Sequence, residues 1–111
     1  MSLSRHEDAF EFRLYVAGTT PRAMRALASL VALCDRRLPG AYGIEVVDVL
    51  IDPRRADADG VRVTPLVVRT APPPQCRYAG ELSDVAEATA ALGLPAAGSA
   101  TDQPRTTQGP D

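Results

Sequence analysis

Residues Phe12–Leu38 read FRLYVAGTTPRAMRALASLVALCDRRL, and the interpretation of this stretch decides the fold. From Phe10 the side chains alternate apolar and polar, then turn wholly apolar through Ala17. That pattern predicts a strand that starts at the surface and ends inside a sheet. Gly18 permits a tight exit, Thr20 is a natural N-cap, and Pro21 has its φ pre-set for the first helical position. Met24, Leu27, Val31, Cys34 and Leu38 recur at helical spacing, and Leu30 and Leu33 widen the stripe, so a long amphipathic helix is expected. Arg36 and Arg37 fall in its last turn, where the helix dipole favours cations, and Pro39-Gly40 ends it.

Working outward, Gly43–Ile51 (GIEVVDVLI) reads as a second strand, apolar on both faces except for Glu45 and Asp48. Strand, helix and buried-looking strand make a βαβ unit with parallel strands. Asp48 is read as a hydrogen-bonded structural acid near the strand end, since one carboxylate without a partner is no catalytic pair. Arg54–Gly60 is too charged for a core and is read as a loop or one short helix. Thr64–Arg69 is the third strand, and the triple Pro72–Pro74 forces a turn because it cannot continue a ladder. Gln75–Ala79 is a short edge strand broken by Gly80. Ser83 is expected to cap a last, Ala-rich helix over Asp84–Leu92, ended by Gly93 and Pro95. The predicted order is β-α-β-(α)-β-β-α, an α/β domain.

The 111 residues allow one domain. Residues 1–9 are polar and read as a frayed head, and 95–111 (PAAGSATDQPRTTQGPD) lack the apolar side chains needed to offset ordering, so they read as a disordered tail. Residues 10–94 remain as the domain. A net charge of −2 argues against nucleic-acid binding. All twelve basic residues are arginines, which suit carboxylate recognition and also follow from a GC-rich coding bias. Two separated cysteines and no secretory pattern at the start fit a reducing cytoplasm, and no apolar run is long enough to span a membrane.

With the elements placed, the sequence resembles the KaiB family of circadian-clock proteins. The resemblance is carried by Leu14–Gly18 (LYVAG), Thr20-Pro21, Arg25-Ala26-Leu27, Gly40 and Tyr42, Val47–Leu50 and Pro53. It continues through Thr64-Pro65, Pro72–Pro74, Arg77, Gly80 and Leu82-Ser83-Asp84. It implies a thioredoxin-like fold with a central mixed sheet, the alternative being the resting fold that family members adopt in a tetramer. It further implies a non-catalytic adaptor that docks on a KaiC-type ATPase, or on a related histidine kinase, in circadian rhythm or related regulation. Three departures stand out. Gly60 replaces a usual lysine, Cys76-Arg77 a frequent arginine pair, and Ala91-Leu92-Gly93 the usual Gly-Leu-Asp triplet. Because Ala outranks Gly as a helix former, Ala88, Ala90 and Ala91 favour an uninterrupted last helix and a chain that holds the thioredoxin-like fold without switching.

In the thioredoxin-like architecture the turn at Gly18–Pro21 is where a redox cysteine pair sits, and these four residues can neither attack a disulfide nor hold a metal. Cys34 lies on the helix stripe as a core residue; Cys76 lies in a short strand with no thiol partner nearby. His6 belongs to the polar head. No catalytic residue, metal ligand or cofactor site is therefore expected. Partner binding is assigned to Arg25 and Arg77, then Arg22 and Arg13, against the plainer reading of exposed arginines. Structural or switch roles fall to Gly18, Pro21, Pro65 (expected cis), Pro72, Pro73, Pro74, Ala91 and Gly93. The edge strand Gln75–Ala79 is free to accept a partner strand. The other readings are a thioredoxin-like oxidoreductase or glutathione-binding relative, and a self-associating structural module that forms a homo-oligomer.

Overall fold

The protein is described by a computed structural model covering residues 9–95; the head with His6, and the tail beyond Pro95, lie outside the described residues. The chain runs β1 (Phe10–Val16), α1 (Pro21–Arg37), β2 (Tyr42–Asp48), α2 (Pro53–Ala58), β3 (Leu66–Ala71), β4 (Cys76–Ala79) and α3 (Val85–Ala91). The four strands form one sheet in the order β2-β1-β3-β4. β1 is parallel to β2 and antiparallel to β3, and β3 is antiparallel to β4, so the sheet is mixed.

Alternation along β1 divides the core. Phe12, Leu14 and Val16 face α1 and α3, packing with Ala26, Leu30, Leu33, Cys34, Ala88 and Leu92. Tyr15 faces the other way, joining Val47, Leu66 and Val68 under Ala56 of the short α2. The expected helix stripe is displaced by about one position. Met24 is 55% exposed, while Ala23 and Ala26 turn inward. Alanine fits either face of a helix, so its small side chain gave the pattern no weight where the helix meets the sheet.

Three further expectations change. The second strand stops at Asp48, and Val49–Ile51 leave the sheet, with Leu50 71% and Ile51 81% exposed. The reason is local: Asp48 Oδ1 accepts hydrogen bonds from the Gly18 N–H (3.0 Å) and the Leu50 N–H (2.9 Å), which turns the chain and ties it to the end of β1. The strand is also an edge, so only one side of it is well covered: Val47 is 4% exposed, whereas Val46 is 47% exposed. The last helix is capped by Asp84 rather than Ser83, the Asp84 carboxylate accepting from the Glu87 N–H at 3.0 Å. Residues Arg54–Gly60 do contain one helix, capped by Asp52.

The largest departure from the sequence pattern is Arg69, a buried cation in the central strand β3, 6% exposed. Its Nη1 donates to the carbonyls of Leu92 (3.0 Å) and Gly93 (3.3 Å), and its Nη2 to Pro74 (2.8 Å). The guanidinium carbon lies 5.5 Å from the centre of the Phe10 ring. Gly93 has φ +64, and a Cβ there would stand 2.8 Å from Arg69 Nη1, so glycine is what allows the guanidinium to reach the end of α3.

Replacing Arg69 by Met keeps the bulk but takes the guanidinium away from three carbonyls, those of Leu92, Gly93 and Pro74. We expect Arg69→Met to lower stability by about 3 kcal/mol, read as a shift of the urea midpoint at constant slope. An unchanged midpoint would remove Arg69 from its structural role.

Candidate functional site

The start of α1 is built by short-range chemistry. Thr20 is extended (φ −90, ψ 162) and its hydroxyl accepts from the Ala23 N–H at 3.1 Å, while Pro21 opens the helix. Gly18, at φ +78, makes the left-handed bend between strand and helix. The Thr64–Pro65 bond is cis, as are Ala71–Pro72 and Pro73–Pro74. Between this turn and Pro65 lies a cleft of about 300 Å³ lined by Val16, Ala17, Thr20, Arg22, Ala23, Thr64 and Pro65.

Arg22 and Arg25 project from the first turns of α1 and share one acid. Arg22 Nε lies 2.8 Å from Glu81 Oε2, and Arg25 Nε lies 3.0 Å from Glu81 Oε1. Both arginine side chains stay more than half exposed, at 57% and 61%. Hydrogen bonding from Arg25, reinforced by Arg22, holds the Glu81 carboxyl below its ordinary range.

Arg13 and Arg77 are elsewhere, on the α2 side of the sheet, so the four arginines form two pairs rather than one surface. Arg13 lies 3.0 Å from Asp59 and 3.3 Å from Glu45. Arg77 donates to the Asp59 carbonyl, and the Tyr15 hydroxyl donates to the Asp59 carboxylate. Hydrogen bonding from Tyr15 and then Arg13 lowers the Asp59 carboxyl, and burial raises the Tyr15 phenol. Arg55 grips Glu45 with two bonds, 2.6 and 2.8 Å, and its hydrogen bonding pulls the Glu45 carboxyl down to about 2. Tyr15, Glu45, Arg55, Asp59 and Glu81 were not singled out in the sequence. The four charged residues are of ordinary surface type, Tyr15 reads as one more apolar strand position, and local pattern carries no signal for partners that lie 10 to 59 residues away.

Neither thiol stands at the β1–α1 turn. Cys34 is buried in the core, and burial pushes its thiol up to about 12. Cys76 sits half-buried on β4 with its thiol 3.5 Å from the Pro74 carbonyl. Among the described residues there is no group of three or more His, Cys, Asp or Glu side chains able to hold a metal. Also among them, no helix is long and apolar enough to cross a membrane.

The family model described as KaiB domain matches residues 13–94 of this chain. The chain belongs to the KaiB family. It is 44% identical over 72 residues to the circadian clock oscillator protein KaiB of Prochlorococcus marinus, a match covering 65% of this chain but only 60% of that relative. It is 36% identical over 82 residues to the protein of the same name from Gloeothece citriformis, covering 74% of this chain and 77% of that one. Among solved structures, the N-terminal domain of SasA from Synechococcus elongatus superposes with a TM-score of 0.62 at 19% identity, over 75% of this chain and 80% of that one. The Drosophila melanogaster thioredoxin Deadhead gives 0.61 at 15% identity, over 83% and 86%. The fold is therefore thioredoxin-like, rather than the alternative resting fold of the family.

Two measurements check this chemistry. Because the Glu45 carboxyl is depressed in the folded chain, its contribution to stability is present above the ordinary 4.5 and is lost as pH falls toward 2. A carbon-detected NMR titration should place Glu45 near 2, and Arg55→Ala should return it toward 4.5. For the thiols, a reagent such as DTNB should label Cys76 in the native chain and reach Cys34 only after unfolding.

Proposed function

We propose that this protein acts by docking, as a non-catalytic adaptor in clock-type regulation, and that it binds a KaiC-type ATPase or a related histidine kinase. The docking face is the start of α1, with Arg22 and Arg25 at its centre. The observation that carries this reading is the composition of the β1–α1 turn. Gly18–Pro21 hold the geometry of a thioredoxin-like turn without a thiol, and of two half-exposed guanidiniums on the adjoining helix, that of Arg22 borders an open cleft. A helix N-terminus and arginine forks favour anionic groups on a partner.

Arg77 and Arg13 are drawn into the Asp59 network, so their removal acts first on the α2 side of the sheet. The division supplies the test. The full chain, used as bait in lysate of its own cell, should capture the ATPase or kinase. Arg22→Ala with Arg25→Ala should weaken that capture by about tenfold or more, and Arg13→Ala with Arg77→Ala should weaken it less. Capture unaffected by the first pair, or a partner list with neither protein, overturns the proposal.

A further inference from the structure

Glu81 lies between two residues of positive φ, Gly80 at +118 and Leu82 at +61. The left-handed region is costly for a branched apolar residue such as leucine, and here it is held by burial, Leu82 being 3% exposed. This bend carries Glu81 out of the β4–α3 connection and onto the first turns of α1. There it bridges two arginines whose own helix offers no acid in its first turn. Each guanidinium uses only its Nε on Glu81, leaving both Nη groups without a protein partner among the described residues. Two cations share one anion, so the rim keeps a positive excess. Immediately beside Arg22 is the cleft, its walls Val16, Ala17, Ala23 and Pro65 apolar and its rim carrying Thr20 and Thr64.

We propose that Glu81 is an internal stand-in for the carboxylate of a docking partner. The face at the start of α1 takes a protein segment that sets an acidic side chain beside an apolar one. The acid replaces Glu81 on Arg22 and Arg25, and the apolar side chain fills the cleft. This deepens the docking proposal above and rests on its choice of face.

The exchange is physically easy. Exposed ion pairs contribute little each, so handing both arginines from one carboxylate to another changes little in the free chain. The open Nη forks let an incoming carboxylate bind before Glu81 leaves. Leu82 stays anchored in the core throughout, so the helix that follows need not move. Glu81 thus screens the face against stray anions and yields to a segment that also offers an apolar group to the cleft, which is a device for specificity.

The test uses the full chain and a capped peptide of sequence glycine-leucine-aspartate-glycine, with the asparagine version as control, followed by NMR. The aspartate peptide should shift the amides of Ala17, Thr20, Ala23 and Thr64. Glu81→Gln should bind it about fivefold more tightly, with the asparagine peptide weak on both chains. As the aspartate peptide saturates the wild type, the Glu81 carboxyl should rise back toward its ordinary range, which a mere change of net charge would not produce. An unchanged urea midpoint certifies that Glu81→Gln is folded. Equal or weaker binding to Glu81→Gln, no preference for aspartate, or a Glu81 carboxyl that stays depressed overturns the inference. The two proposals fail separately. Capture of the ATPase that needs Arg22 and Arg25 but gains nothing from Glu81→Gln leaves docking standing and removes the stand-in. Peptide exchange as described without ATPase or kinase capture does the reverse.

Discussion

The buried guanidinium of Arg69 is the constraint on which the second half of the chain depends. It sits on β3, the strand that joins β1 to β4, and reaches the carbonyls of Leu92 and Gly93 at the C-cap of α3 on one side and the Pro74 carbonyl on the other. Among the described residues no carboxylate neutralises it. The negative end of the α3 dipole and the face of Phe10 do that work instead. A charge so deeply buried is costly unless all its partners are in place, so the helix end, the proline turn and the strand are fixed together or not at all. The triplet Ala91-Leu92-Gly93 fits this arrangement residue by residue. Ala91 completes the helix, Leu92 is fully buried, and Gly93 turns left-handed under the guanidinium.

With the sheet so fixed, the polar side chains on its two sides take different roles. On the α2 side, Asp59 collects Arg13, Tyr15 and Arg77, and Glu45 collects Arg13 and Arg55. The phenol of a fully buried tyrosine lies at the centre of that network, which makes it part of how the short α2 is held to the sheet. On the α1 side, Glu81 meets Arg22 and Arg25 at the surface, where each pair is cheap to break. Arginines that look alike in the sequence are thus separated by the element that carries them: Arg13 and Arg77 on strands and Arg55 on α2 enter the network on one side of the sheet, while Arg22 and Arg25 on α1 stay more than half exposed on the other.

What local chemistry determines was legible in the sequence. The strand–turn–helix of Phe12–Leu38, the Thr20 cap, the order of elements, the structural use of Asp48 and the burial of Cys34 all follow from spacing and from side chains acting on their own neighbours. What tertiary partners determine was not. Arg69 sits in a strand whose other residues read as core, and its carbonyl partners just past α3 lie 23 and 24 residues away. Ala23 and Ala26 yielded the helix face to the larger Met24 in the pattern, although the packed helix uses the small ones. The run Val46–Ile51 looked buried because composition cannot tell an edge strand and its exposed turn from a central strand. The family marks recovered the fold in spite of these errors, since they record the whole arrangement rather than any single contact.

The β1–α1 turn keeps the strand–bend–helix geometry of a thioredoxin-like scaffold without a thiol at the turn. Dithiol exchange needs a thiolate of low pKa at the helix N-terminus, and burial drives the thiol of Cys34 in the opposite direction. What stays at the turn is the helix end, the cleft against Pro65 and two cations. Both ends of α3 bear on that face. Arg69 holds the end of the helix, while Leu82, Asp84 and the bent loop before them fix its start and aim Glu81 at α1. Because Leu82 rather than the ion pairs anchors the loop, Glu81 can leave its arginines without loosening the helix. The proposed docking face is therefore tied by a surface salt link, while the fold beneath it is held by a buried guanidinium.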